Sequence, residues 1–276
     1  MAKKPAKPKK QPSILRPMPH LEFDTVKLQE WGDLWRGTVG SANKSGPTVK
    51  KENRFDKKQG MDFGMVFDTA FSNALAKMLG DIPVVDPVIG SLLPPPYHPN
   101  CVEKGSTRIV GGIRPQNYDA AYRPDGPRVV YDSKTLNDTK SIGKNWQNMV
   151  NDLSTEASTV HTRFPYCIVA FMVALPRTAL QPAQERALVR TLERLGSRED
   201  ELDQNHLAES IAMVVWDPAT GAIDPNVPPK GSVLRIESMP ARIYDAYLDR
   251  YKNLPPHEAE EAEEADPDED DYTEEA

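Results

Sequence analysis

QNYDAAYRPDGPRVVYDSKT, residues 116–135, carries two extended segments around a turn. Gln116 to Arg123 and Arg128 to Thr135 flank Pro124-Asp125-Gly126-Pro127, whose residues have hairpin turn chemistry. With a two-residue loop at Asp125-Gly126, Asp119 lies directly opposite Asp132 with both side chains on one face. Lys134, two residues beyond Asp132, shares that face because strand side chains alternate with period two. A three-residue loop with a bulge at Gly126 would shift the pairing by one. Cross-strand neighbours have Cβ atoms roughly 4.5–5.5 Å apart, where like charges repel. Val129-Val130-Tyr131 sets the acids beside an apolar strand, where an unpaired charge is costly. A divalent cation gives two carboxylates a reason to converge. Mg²⁺ (or Mn²⁺) takes one or two carboxylates and completes its shell with water and phosphate oxygens. A neighbouring lysine orients or deprotonates the attacking water and offsets charge on the phosphate.

Outward from this hairpin the pattern is α/β. Phe63, Val66, Phe67, Phe71, Ala74, Leu75 and Met78 follow helical spacing from Met61 until Gly80 stops the run. Residues 83–105 are proline-rich and aperiodic, which predicts a long loop, and Thr107 to Val110 reads as a weak strand. Beyond the hairpin, Ile142, Trp146, Met149, Val150, Leu153 and Ala157 mark a second amphipathic helix. Tyr166 to Leu175 is a continuous apolar run between prolines, the mark of a strand buried on both faces. Pro182 opens a helix that runs to Leu195 before Gly196. Ile211 to Trp216 reads as a further buried strand, and about 241–251 as a last helix. The order α–β–β–β–α–β–α–β–α predicts a mixed sheet flanked by helices, without Rossmann alternation.

The chain has 276 residues, 38% hydrophobic and 27% charged, enough to bury one core with ragged ends. Its net charge of −7 divides unevenly. Residues 258–276 hold 12 acids and no Lys or Arg, whereas residues 1–16 hold six bases and no acid. The expected organisation is a disordered basic arm over 1–20, a short helix and mobile loop over 21–60, a main domain over 61–256, and an acidic disordered tail over 257–276. Such blocks read as solvated tails, or as a lysine arm that touches nucleic acid and an acidic tail that competes for the same basic surface. Cys101 and Cys167 have no CxxC spacing, which suits a reducing compartment. With no apolar run near 20 residues and no apolar segment behind the N-terminal lysines, the chain reads as soluble and cytoplasmic, without a membrane partner. GxxxxGK[ST], HExxH and GxSxG are all missing, which argues against a nucleotide cofactor, a zinc protease and a serine hydrolase.

Asn117-Tyr118-Asp119, the Asp125-Gly126 turn and Val129-Val130-Tyr131-Asp132-Ser133-Lys134 resemble the PD-(D/E)xK nuclease motif. The resemblance covers about residues 61–217. It implies a restriction-endonuclease-like α–β–β–β–α–β core, with Asp119 as first acid, Asp132 as second and Lys134 as the lysine. Tyr118 stands where the motif has proline, and Asp132 is shorter than the more frequent Glu. The resemblance further implies Mg²⁺ held by Asp119 and Asp132, assisted by an acid on the preceding helix, Asp68 in preference to Asp62. Residues 134–156, with Gly143, Asn145, Trp146 and Asn148, are similar to the helix after the motif in some type II restriction enzymes. Lys144, Asn148 and Asp152 recur on the polar face of that helix. With Asn145, His161 and Arg163 they are candidates for contact with phosphate or base edges. The function implied is a Mg²⁺-dependent DNA endonuclease of restriction or anti-phage defence type, acting as a homodimer or with a partner protein. The rivals are a non-catalytic DNA-binding or interaction subunit on the same fold, and a recombination or repair nuclease acting on ends.

Overall fold

A computed structural model describes residues 14–177 and 180–257, apart from the side chains of Ser141 and Lys144. The apolar run predicted as a buried strand is β7 (Ile168–Pro176), buried at every position, and the next such run is β8 (Ser210–Trp216). Before them come α1 (Thr25–Arg36), β1 (Val39–Asn43), β2 (Gly46–Val49), α2 (Lys57–Met78), β3 (Val84–Val85), β4 (Val102–Val110), β5 (Pro115–Tyr122), β6 (Val129–Thr135) and α3 (Thr139–His161). α4 (Pro182–Leu195) joins β7 to β8, and α5 (Met239–Tyr251) follows. Six strands form one mixed sheet in the order β3-β4-β5-β6-β7-β8. The β4/β5 and β5/β6 pairs are antiparallel, whereas β3/β4, β6/β7 and β7/β8 are parallel. No helix among the described residues is long and apolar enough to cross a membrane.

Alternation along the central strands builds a core on each face. Ala170 and Met172 of β7 join Phe63, Phe67, Phe71 and Leu75 of α2, with α1 and α5 beside them. Val169, Phe171 and Val173 join Leu153, Ala157 and Val160 of α3 and Leu188 and Leu192 of α4. α2 starts where Asp56 and Gln59 form a reciprocal capping box, one turn earlier than its apolar stripe indicates.

Three expectations change. Residues 37–58 hold the β1–β2 hairpin, not a mobile loop; its strands are mostly exposed and lack the apolar alternation that reveals a strand. Residues 21–60 are not separate from the main body. Leu28 and Trp35 of α1 are buried in the first core, and Trp35 meets Trp216 edge-on with ring centroids 6.5 Å apart. The proline-rich stretch supplies β3 and the first half of β4. It is pinned by Arg123, which pairs with fully buried Glu103 at 2.5 Å and donates to the carbonyls of Ser91 (3.3 Å) and Leu93 (3.0 Å). Of the proposed arm, residues 1–13 lie outside the described residues, while Arg16 N–H donates to the Met78 carbonyl at 2.9 Å and Met18 is buried. The acidic stretch 258–276 also lies outside them.

α1 docks so closely that a side chain has no room at Gly32. A Cβ there would stand 1.8 Å from the Pro218 carbonyl oxygen in the turn after β8. Gly32→Ala is expected to destabilise the fold by about 3 kcal/mol, the upper range for overpacking. Urea unfolding checks this as a lower midpoint at unchanged slope; a change within about 0.5 kcal/mol would mean that α1 does not dock there.

Candidate active site

The hairpin pairs in the expected register, Ala120 with Tyr131, Ala121 with Val130 and Tyr122 with Val129. Its connection is longer than two residues, however: the strands stop at Tyr122 and resume at Val129, with Gly126 at φ +140°. The ladder also ends at Ala120/Tyr131, one position short of Asp119 and Asp132. On the other side of β5, pairing passes from Lys104/Ala120 to Thr107/Tyr118, so Gly105 and Ser106 together oppose Asp119. This is a β-bulge, and Gly105 accommodates it at φ +125°. Beyond the bulge the β4–β5 ribbon lies along α3. Tyr118 Oη donates to the Glu156 carbonyl at 2.9 Å, and Gly112 N–H to the Thr159 carbonyl at 2.7 Å. Asp119 therefore stands at a corner, free of ladder pairing. Its Oδ2 accepts from Ser133 N–H at 2.9 Å and from Ser133 Oγ at 3.2 Å.

The corner separates two environments. On the α2 side is a cleft of about 830 Å³ whose walls include Gly64, Asp68, Lys104, Asp119, Ser133 and Thr135. Asp68 is only 8% exposed, and its Oδ1 has no hydrogen-bond partner. Burial, and next the Asp119 carboxylate, push its pKa up to about 7, against the smaller opposing effects of the Ser133 hydroxyl and Lys104. Lys104 Nζ lies 3.4 Å from Thr69 Oγ1, beside Asp68 on α2.

On the α3 side are Asp132 and Lys134. Tyr131 stacks on Phe71 of α2 at 3.9 Å, and Ser133 and Thr135 line the cleft, so the alternate residues of β6 face the other way. The Lys134 ammonium contacts Asp132 and donates to Glu156 Oε1 at 2.9 Å. Burial works against that ammonium, but Asp132 and Glu156 outweigh it and raise its pKa. Burial, then Asp119, raise Asp132 well above the usual carboxylate range, and Lys134 offsets this only in part.

The predicted trio is in contact: the Asp119 and Asp132 carboxyls share a hydrogen bond, and the Lys134 ammonium contacts Asp132. Asp119 also acts on Asp68, which opens to the cleft, while Asp132 and Lys134 face α3. The bulge opposite Asp119 leaves Tyr118 and Ala121 on the α3 side and Ala120 on the other, so Asp119 stands where the face changes and reaches both Asp132 and Asp68. Among the described residues, no three His, Cys, Asp or Glu side chains converge as a metal-holding group.

Asn145 and Asn148 are exposed on α3, away from the cleft walls. Lys144 lies in α3, but its side chain is outside the described ones. Arg163 is exposed and donates to the Val110 carbonyl at 2.9 Å. His161 is not a surface contact: it is buried between the carbonyls of Asn205 and Cys167, each at 3.0 Å, and 3.3 Å from Glu209. Trp146 packs against the second core. Two site neighbours escape the sequence reading. Glu156 falls on the inward stripe of α3, three residues after Leu153, and that unusual placement was a visible signal. Lys104 lies in the stretch read as loop and gave none. Comparison with family models, with characterised proteins and with solved structures returned no match.

Proposed function

We propose that the cleft at Asp119 hydrolyses phosphodiester bonds of DNA with Mg²⁺, in the manner of a PD-(D/E)xK endonuclease. One observation carries this reading: Asp68 and Asp119 open into the same cleft, and Asp68 keeps a buried, unpartnered carboxylate oxygen there. Two carboxylates that repel each other in a partly buried site gain most when a divalent cation enters. They also match the usual protein share of a Mg²⁺ shell, the rest being water and substrate phosphate. Asp68 and Asp119 would hold the ion, which on binding supplies an acidified water and polarises the phosphate. Ser133 fixes the Asp119 carboxylate through two hydrogen bonds, so one ligand is oriented in advance. Arg54 and Lys57 line the same cleft and supply positive charge for the nucleic-acid backbone. The succession α2–β4–β5–β6–α3–β7 has the α–β–β–β–α–β order that the motif resemblance implies, which supports the same reading.

A specific observation favours the second reading, a DNA-binding subunit without catalysis. Lys134 is held by two carboxylates on the α3 side, and the cleft-facing positions of β6 are Ser133 and Thr135. Supercoiled plasmid and a Mg²⁺ titration followed by thermal unfolding separate the two. The expected outcome is nicking that requires Mg²⁺, a Tm that rises with Mg²⁺, and loss of both in Asp68→Ala. Retention of DNA in a mobility shift, without cleavage or Mg²⁺-dependent stabilisation, would decide for the binding subunit.

A further inference from the structure

We propose that Lys104 of β4, in place of Lys134, is the ammonium group that faces the phosphate undergoing hydrolysis. This rests on the nuclease reading above and assigns a further catalytic residue to the same cleft. Three placements argue for it. Lys104 is the residue just before the bulge, paired with Ala120, so its strand position adjoins Asp119 on β5. Its side chain lines the cleft together with Asp68 and Asp119. Its Nζ lies near Thr69 Oγ1 at 3.4 Å, a single weak contact, which leaves its donors for an incoming oxyanion.

The rivals are engaged elsewhere. Lys134 gives donors to Asp132 and Glu156, and a phosphate reaching it would first have to break a partly buried network. Arg54 pairs with Asp138 at 3.5 Å. Lys57 stands exposed at the start of α2, three turns before Asp68. Lys104 is half-buried, and an ammonium there acts more strongly on developing charge than one in open solvent. In the step itself, water oxygen bonds to phosphorus as one ester P–O bond breaks. Water loses a proton and the departing oxygen gains one, so the balance closes without Lys104, which stays protonated and contributes charge alone.

Single-turnover cleavage of a labelled duplex at saturating protein and Mg²⁺ tests this with wild type, Lys104→Met and Lys104→Arg. Mg²⁺-dependent thermal shift and duplex binding are measured on each, and Lys104→Gln replaces Lys104→Met should the latter unfold. Lys104→Met is expected to lower the single-turnover rate about 100-fold, with the Mg²⁺ shift preserved, and Lys104→Arg to recover most of the rate. Cleavage by Lys104→Met within threefold of wild type would overturn the assignment and leave the nuclease reading standing. A wild type that neither cleaves nor gains stability from Mg²⁺ would remove the nuclease reading, and the assignment with it.

Discussion

Asp68→Asn is expected to gain on the order of 3 kcal/mol of stability over wild type between pH 5 and pH 8 in metal-free buffer. The cause is the carboxyl's burial, seconded by the charge of Asp119, which together lift its pKa from 3.8 to about 7 in the folded protein. Between those two values the unfolded chain has released the proton that the folded chain still holds. Stability therefore falls as pH rises through this window, by about 1.4 kcal/mol per unit, and levels off above the folded value. The stabilising share of a neutral Asp68 is complete below about pH 4 and gone above about pH 7. Asparagine has no proton to lose, so the variant lacks this decline. Urea unfolding of both proteins at pH 5 and pH 8 in EDTA measures the difference directly. Adding Mg²⁺ at pH 8 should narrow the gap, because the ion rewards the carboxylate and has little to gain from the amide. A stability difference that stays flat with pH would show that Asp68 titrates like a solvated acid.

The parts of the fold that were legible in the sequence are those decided locally. β7 and β8 announce themselves as apolar runs, α4 begins at its proline and ends before its glycine, and the Asp125-Gly126 centre fixes the β5–β6 register even though the connection is longer than two residues. The bulge was not legible, because it arises from how β4 pairs with β5, and the first half of β4 sits in a stretch whose prolines mask any period. That one extra residue sets Asp119 at the change of face, where it reaches both Asp68 and Asp132. The motif therefore picked out Asp119 and Asp68 as carboxylates of the cleft and the chain of contacts from Asp119 through Asp132 to Lys134, while the alternation of β6 turns that lysine toward Glu156 of α3. The β1–β2 hairpin escaped notice for a different reason: Val39, Gly40, Ser41 and Ala42 offer no apolar face for a pattern to reveal.

Asp119→Asn separates a residue kept for chemistry from one kept for architecture. Asparagine matches the shape of aspartate, and its side-chain oxygen can still accept from Ser133 N–H and Oγ, so the corner loses no acceptor. What disappears is the negative charge that raises the pKa of both Asp68 and Asp132. If the charge serves metal binding, its removal should relieve repulsion and stabilise the metal-free fold at pH 8 by about 1 kcal/mol or more, given that a single pKa unit is worth about 1.4 kcal/mol. The same change should cut cleavage about 10³-fold, as expected when a metal ligand's charge is lost from a site that depends on it. It should also abolish the Mg²⁺-dependent rise in Tm. A gain in stability coupled to a loss of function is the pattern of a site held under electrostatic strain for its task. The opposite pattern, in which Asp119→Asn is less stable than wild type and responds to Mg²⁺ as before, would make Asp119 a cap for the bent ribbon, since only a structural role depends on a charge-assisted bond to the Ser133 amide.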